Sequence, residues 1–449
     1  MQNNTGRRTF VEIAHSFVRQ SGVGLVALPV TSPDGHKDGF YRDLLDRAVR
    51  GLVAAVGVDD LDAVLLIGAP ARGEATVVET ADGLYSLSDI DLVGVSSASA
   101  DLPGVRRRAA SWRNRAAEEI HARASGIDVS VRSRAELNSL PALISTYEML
   151  RSPAVVWGDP SVAESFPDVS LESIPRVESL TLVHNRVVEE LLHWREASSA
   201  ELSAPAALGT LYATAKLALD GITAVLYIER DVPTAYAERV RVFEDRVLSR
   251  DPELRARLAD YVDDLAAWAD FKTDGDLGRL GARLGADAGG QDPADLARAE
   301  WRRYGRYAEV CWREVLGRVT GTEAGALGLA DAAALYVGLE SVPRSVARAW
   351  NASRPGASPD GLFSRRRLFK GALFASPRER AYLVSVVCYL ALSGVVDERV
   401  ADDLVRRYSP FRTTAKPLSV GSEKGRRDLL DRITLFHETL LLGRGTWRQ

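Results

Sequence analysis

Two aspartates one residue apart, Asp89 and Asp91, stand in the run SDIDLVGVS (88–96), which is otherwise Ile, Leu, Val and Gly between two serines. A run of that composition reads as a strand. Side chains alternate along a strand, so both carboxylates fall on one face. Like charges on one face repel, and a carboxylate in apolar surroundings is costly unless paired, so the pattern calls for a cation there. Ahead of it, AVLLIG (63–68) reads as a buried strand closed by a glycine turn. The intervening EATVVETADGLYSL (74–87) suits an inserted hairpin or flap beside the carboxylates.

A third carboxylate, Asp128, follows in GIDVSVRS (126–133), which alternates as another strand. Between the two strands, DLPGVRRRAASWRNRAAEEIHARA (101–124) is an amphipathic helix with Val105, Ala109, Trp112, Ala116 and Ile120 on one side. That helix is long enough for a crossover, so the strands of Asp91 and Asp128 are expected to be neighbours. Three carboxylates converging from two strands suit two magnesium ions, which take oxygen ligands and leave positions to phosphates and water, for in-line displacement at phosphorus. FYRDLLDRAVRGLVAAV (40–56) has helical spacing, and AVVWGDP (154–160) is a short apolar piece ending in turn residues. This mixed order predicts a small α/β domain with helices packed on a mixed sheet.

A glycine turn, Arg-Gly, a variable loop, Ser-Asp-Ile-Asp-Leu and a later strand aspartate together resemble the DNA polymerase β-like nucleotidyltransferase superfamily, in its small-molecule and antibiotic-modifying branches. Gly68, Arg72, Gly73, Ser88, Asp89, Asp91 and Asp128 carry the likeness, over about residues 60 to 160. The resemblance implies a nucleotidyltransferase-fold core, classed α/β or α+β, followed by a large all-α domain. It implies transfer of a nucleoside monophosphate from a nucleoside triphosphate to a hydroxyl, with release of pyrophosphate. Asp89 and Asp91 would ligate both Mg2+ or Mn2+ ions, while Asp128 would complete the second site and serve as base. Ser88 and the amides around Gly68 and Ala69 would bind the nucleotide, with Arg72 adding charge. The family's serine after the first glycine is replaced here by Ala69 and then Pro70, which removes one hydrogen bond worth about 0.5–1.5 kcal/mol.

From about Ser173 strand signals nearly vanish. VESLTLVHNRVVEELLHWRE (177–196), PAALGTLYATAKLALDGITAVLYI (205–228), PELRARLADYVDDLAAWADF (252–271) and later stretches carry helical periodicity, so the second half reads as a helical bundle. At 449 residues the chain exceeds one core. The expected division is a catalytic domain over 1–165 with an N-terminal helical extension, a helical domain over 170–290 packing on the active site, and a C-terminal helical region over 291–449. Glycine-rich 274–295 and 351–361 read as linkers. Lys216, with Tyr212 one turn earlier, either snorkels to the surface or reaches the triphosphate. Asn185 and Arg186 are weaker candidates of the same kind. Glu148 reads as a helix salt bridge before it reads as a base. Trp157 and Tyr85 read as packing before base stacking.

The six histidines show no metal spacing, and two cysteines, Cys311 and Cys388, support neither a disulfide framework nor a zinc site. No apolar run approaches the ~20 residues needed to span a bilayer, which points to the cytoplasm. A net charge of −4 argues against a dedicated nucleic-acid binder, although Arg344, Arg348, Arg354, Arg365, Arg366, Arg367 and Lys370 cluster against Asp360 alone. The expected partners are a nucleoside triphosphate and a small-molecule acceptor such as a sugar or aminocyclitol. Transfer to tRNA or protein, a catalytically retired nucleotide-binding module and a homodimer stay open.

Overall fold

The computed structural model describes residues 34–80, 82–120, 124–164, 166–199, 201–284, 292–339, 347–348, 362–363, 375–411 and 418–440. The expected N-terminal extension before residue 34, the 351–361 linker and most of the basic 342–370 segment lie outside them. The protein is α+β, with one mixed four-stranded sheet, a separate two-stranded sheet and many helices. The chain gathers into two compact units, one of residues 1–175 with 269–280 and one of residues 176–268 with 281–449.

In the first unit, α1 (Gly35–Val56) starts at Asp34, whose side chain accepts the His36 amide and so caps the helix. Strand β1 (Leu61–Leu66) is followed by the hairpin β2 (Val77–Thr80) and β3 (Gly83–Ser86), which is the insertion expected in 74–87. Then come β4 (Ile90–Ser96), α2 (Leu102–Ile120), β5 (Ile127–Ser133), α3 (Arg134–Asn138), α4 (Ile144–Arg151) and β6 (Ala154–Gly158). The sheet order is β5-β4-β1-β6. Strand β1 runs antiparallel to β4 and β6, and β4 runs parallel to β5 across the α2 crossover.

Alternation sorts the side chains onto two cores. Val64, Leu66, Ile90, Leu92 and Val131 pack with Leu45, Val49, Val105 and Trp112 of the helices on one face. Ala63, Leu65, Val93 and Val95 pack with Leu137 and Val162 on the other. Asp91 shares the pleat of Val93 and Val95 and so stands on this second face.

Residues Ala269–Leu280 complete the unit from far along the chain. The Thr76 hydroxyl donates to the Lys272 carbonyl at 2.6 Å, and Lys37 Nζ donates to the Asp274 carbonyl at 2.5 Å. Gly275 has φ +65°, and a β-carbon there would lie 2.1 Å from the Val77 carbonyl oxygen. Only glycine fits both constraints. The start of the stretch read as a linker is therefore built structure, with a helix at Leu277–Arg283 and Leu280 buried.

The second unit centres on α5 (Glu178–Ala197), α6 (Ala204–Glu229) and α11 (Pro293–Thr320), which pack on one another. Helices α7 (Tyr236–Val242), α8 (Pro252–Arg257), α9 (Ala259–Asp274) and α10 (Leu277–Arg283) lie between α6 and α11 in sequence, with the end of α9 and the start of α10 counted in the first unit. After α11 come α12 (Leu329–Val337), α13 (Pro377–Leu392), α14 (Glu398–Tyr408) and α15 (Glu423–Leu440). Against the expectation that no apolar run is long enough to span a bilayer, α6 passes that test by length and composition. Its apolar window is 89% buried among the surrounding helices, which marks it as a core helix.

Candidate functional site

The turn after β1 begins at Gly68, whose φ of +78° would strain a side chain. The Ile67 amide donates to the Asp91 carbonyl at 3.1 Å, fastening this turn to β4. A β-carbon at Gly68 would lie 3.5 Å from Asp91 Oδ2, so the Asp91 carboxylate stands against the glycine. Beyond it, the Ala69 carbonyl accepts the Arg72 and Glu74 amides, each at 3.0 Å, closing a tight turn through Pro70. Among the described residues, the Gly68 and Ala69 amides donate to no backbone carbonyl.

Asp89 lies just ahead of β4, half-buried, and a β-carbon at Gly126 would sit 3.1 Å from its Oδ1. The neighbouring Ile90 amide donates to the Gly126 carbonyl at 3.0 Å. Tyr85 is close by. Burial, opposed by a hydrogen bond with Ser125 and aided by the charge of Asp89, raises its phenol above the ordinary range.

Asp128 stands in register with Asp91 on the parallel strand, as the crossover argument expected. Its side chain is 55% exposed and accepts from Arg113 of α2 at 3.2 Å. The three aspartates thus come from the starts of two neighbouring strands, β4 and β5, but the third is held by a guanidinium. Among the described residues, no three His, Cys, Asp or Glu side chains are grouped to hold an ion.

Ser88 faces inward rather than toward solvent, with 1% of its surface exposed. Its Oγ accepts the Thr76 amide at 2.9 Å, and its carbonyl accepts from Ser86 Oγ at 2.9 Å. Lys272 Nζ lies 3.5 Å from Ser88 Oγ and 3.4 Å from Thr76 Oγ1, and the lysine is 2% exposed. Sequence reasoning passed over Lys272. A signal existed, because it extends the buried stripe Leu265, Trp268 and Ala269 of α9, where a cation is out of place. Arg113 was missed too, since nothing in an arginine-rich helix distinguishes it.

The other expected site residues have protein partners. Arg72 is buried between Glu74 at 3.1 Å and Glu148 at 3.2 Å, so its charge is met inside the first unit. Trp157 belongs to the first core. In the second unit, Lys216 pairs with Glu189 at 3.1 Å and lies over the Tyr212 ring at 5.5 Å. Arg186 pairs with Glu189 at 2.6 Å and with Asp220 at 2.9 Å. Burial opposes ionisation of Glu189, but Arg186 and then Lys216 outweigh it and hold the carboxyl down to about 2. Asn185 accepts from the Tyr382 hydroxyl at 2.7 Å.

Asp89 and Asp91 supply carboxylate oxygens alone, the donor set that suits a hard divalent ion bound through one or two carboxylates with phosphates and water. That pair fits magnesium; Asp128 fits only with Arg113 displaced. Comparison of the chain with protein-family models and with curated proteins finds no match to either.

Proposed function

We propose that this chain is a magnesium-dependent nucleotidyltransferase of nucleotidyltransferase fold, acting in the cytoplasm on a hydroxyl of a small molecule such as a sugar, aminocyclitol or biosynthetic intermediate. The observation that carries the reading is one juxtaposition: Asp91 stands against the glycine turn after β1 and in register with Asp128. In this reading Asp89 and Asp91 hold the metal, and the amides of Gly68 and Ala69 face the phosphate oxygens. Bound Mg2+ or Mn2+ supplies neutralising charge at the phosphates. Once Arg113 releases it, Asp128 takes the proton of the acceptor hydroxyl at a carboxylate oxygen. The acceptor oxygen forms a bond to the α-phosphorus, the bond to the β-phosphate oxygen breaks, and pyrophosphate leaves.

Calorimetric titration of ATP, GTP, CTP and UTP with Mg2+ into wild type and into the Asp89→Ala, Asp91→Ala double variant tests this. One triphosphate is expected to bind wild type and to lose the variant, with pyrophosphate released once an acceptor is found. Equal binding by both proteins would remove the metal role of the aspartates. A second reading, a retired nucleotide-binding module, is favoured by the Arg113–Asp128 ion pair together with Ala69 and Pro70. It predicts nucleotide binding without pyrophosphate release across acceptors.

A further inference from the structure

We infer that Lys272 is a positioning residue for the Asp89–Asp91 turn, acting through Ser88 and Thr76. The metal part of its test rests on the function proposed above; the structural part does not.

A buried ammonium is rare, because leaving water costs far more than burying an apolar chain of the same size. It carries three donors and no acceptor, so every neighbour it holds must turn a lone pair toward it. Thr76 Oγ1 and Ser88 Oγ are among the oxygens that do so. The same atoms close a ring. Thr76 Oγ1 donates back to the Lys272 carbonyl at 2.6 Å, and Ser88 Oγ accepts the Thr76 amide at 2.9 Å. One residue of a segment that reaches the unit 184 positions later thus orients the residue immediately before Asp89.

The rest of the turn is pinned from other sides. Ser86 Oγ donates to the Ser88 carbonyl, Ser125 Oγ donates to the Leu87 carbonyl at 2.9 Å, and the Ile90 amide donates to Gly126. Lys272 brings a support for this turn from Ala269–Leu280. Groups that hold metal ligands from behind are typically worth about 10- to 100-fold in metal affinity. A lysine kept only for stability makes a different prediction, since removing one member of a buried polar network destabilises the whole unit around it.

The test uses the full chain with Lys272→Met, Lys272→Arg and Ser88→Ala, read by Mn2+ titration, by amide hydrogen exchange over residues 74–91 and by thermal unfolding. Lys272→Met is expected to speed exchange at residues 86–91 and weaken Mn2+ binding about 10- to 100-fold, with exchange in the rest of the unit unchanged. Ser88→Ala should move exchange and affinity the same way, and Lys272→Arg should restore part of both. Wild-type exchange and affinity in Lys272→Met would overturn the inference. So would a general loss of protection across the unit with a lowered midpoint, which is the mark of a merely structural lysine. If wild type itself binds no Mn2+, the metal reading fails alone, and exchange at 86–91 still decides the role of Lys272.

Discussion

Gly126 is a bare spot with a neighbour that needs it bare. A β-carbon there would press on Asp89 Oδ1 at 3.1 Å, tighter than ordinary contact, while the backbone at that position demands no special conformation. Gly126→Ala should therefore change stability by no more than about 1 kcal/mol, because no core contact or hydrogen bond is lost. It should displace the Asp89 carboxylate by a few tenths of an ångström and weaken Mn2+ binding roughly tenfold, the scale expected when a ligand's support is disturbed. Denaturant titration beside Mn2+ titration separates the two effects; equal affinity in wild type and variant would take Asp89 out of the ligand set. Ser88 teaches a related lesson. A motif serine beside paired aspartates invites a role at the nucleotide, yet its hydroxyl accepts from Thr76 and Lys272 and faces the interior.

Helix α5 carries two buried titratable groups whose effects on stability have opposite sign. His184 accepts from Trp312 Nε1 through Nε2 and stacks on Tyr382, and burial, then the charge of Arg378, pushes it down to about 3. Its folded value lies below its unfolded value near 6.5, so its contribution is present above about pH 6.5 and is lost as pH falls. Glu190, fully buried beside Thr214, is pushed well above the ordinary carboxylate range by burial. Its contribution is present below about pH 4.5 and is lost as pH rises toward the folded value. Each group adds a slope of up to about 1.4 kcal/mol per pH unit within its window. Urea unfolding between pH 5 and 8 should show Glu190→Gln stabilised at the upper end and His184→Gln with a flatter acid side. A Glu190→Gln curve parallel to wild type would mean the carboxyl is not held neutral.

The strands, the hairpin and most helices were legible because their signals are local: period-two alternation in SDIDLVGVS and GIDVSVRS, and 3.6-residue spacing in α5, α6 and α11. The pairing of Asp91 with Asp128 was legible too, since a helical crossover leaves few topologies. Helical periodicity says which face of α5 is buried but not which polar groups meet there, so the partners of Arg186 and Lys216 were beyond it.

The division of the chain is non-local, and no composition shift announces it. Residues 269–280 belong with a sheet that ends more than a hundred positions earlier, and the glycines that suggested a linker include Gly275, which the close approach to Val77 requires. Gly275→Ala combines a left-handed backbone with a 2.1 Å clash and should cost about 2–4 kcal/mol. With two units, that loss should appear in probes of the first, such as exchange at Thr76–Asp91, and leave the exchange of α5 and α6 unchanged. Uniform loss in both would mean that they unfold as one. The same discontinuity sets a timetable for biosynthesis. A ribosome adding about 5–20 residues per second needs roughly 5–20 s to go from Pro175 to Leu280. Through that interval the nascent sheet and its aspartates wait without Lys272, with the Thr76 and Ser88 hydroxyls served by water, and chaperone capture or a pause in translation would act in that window.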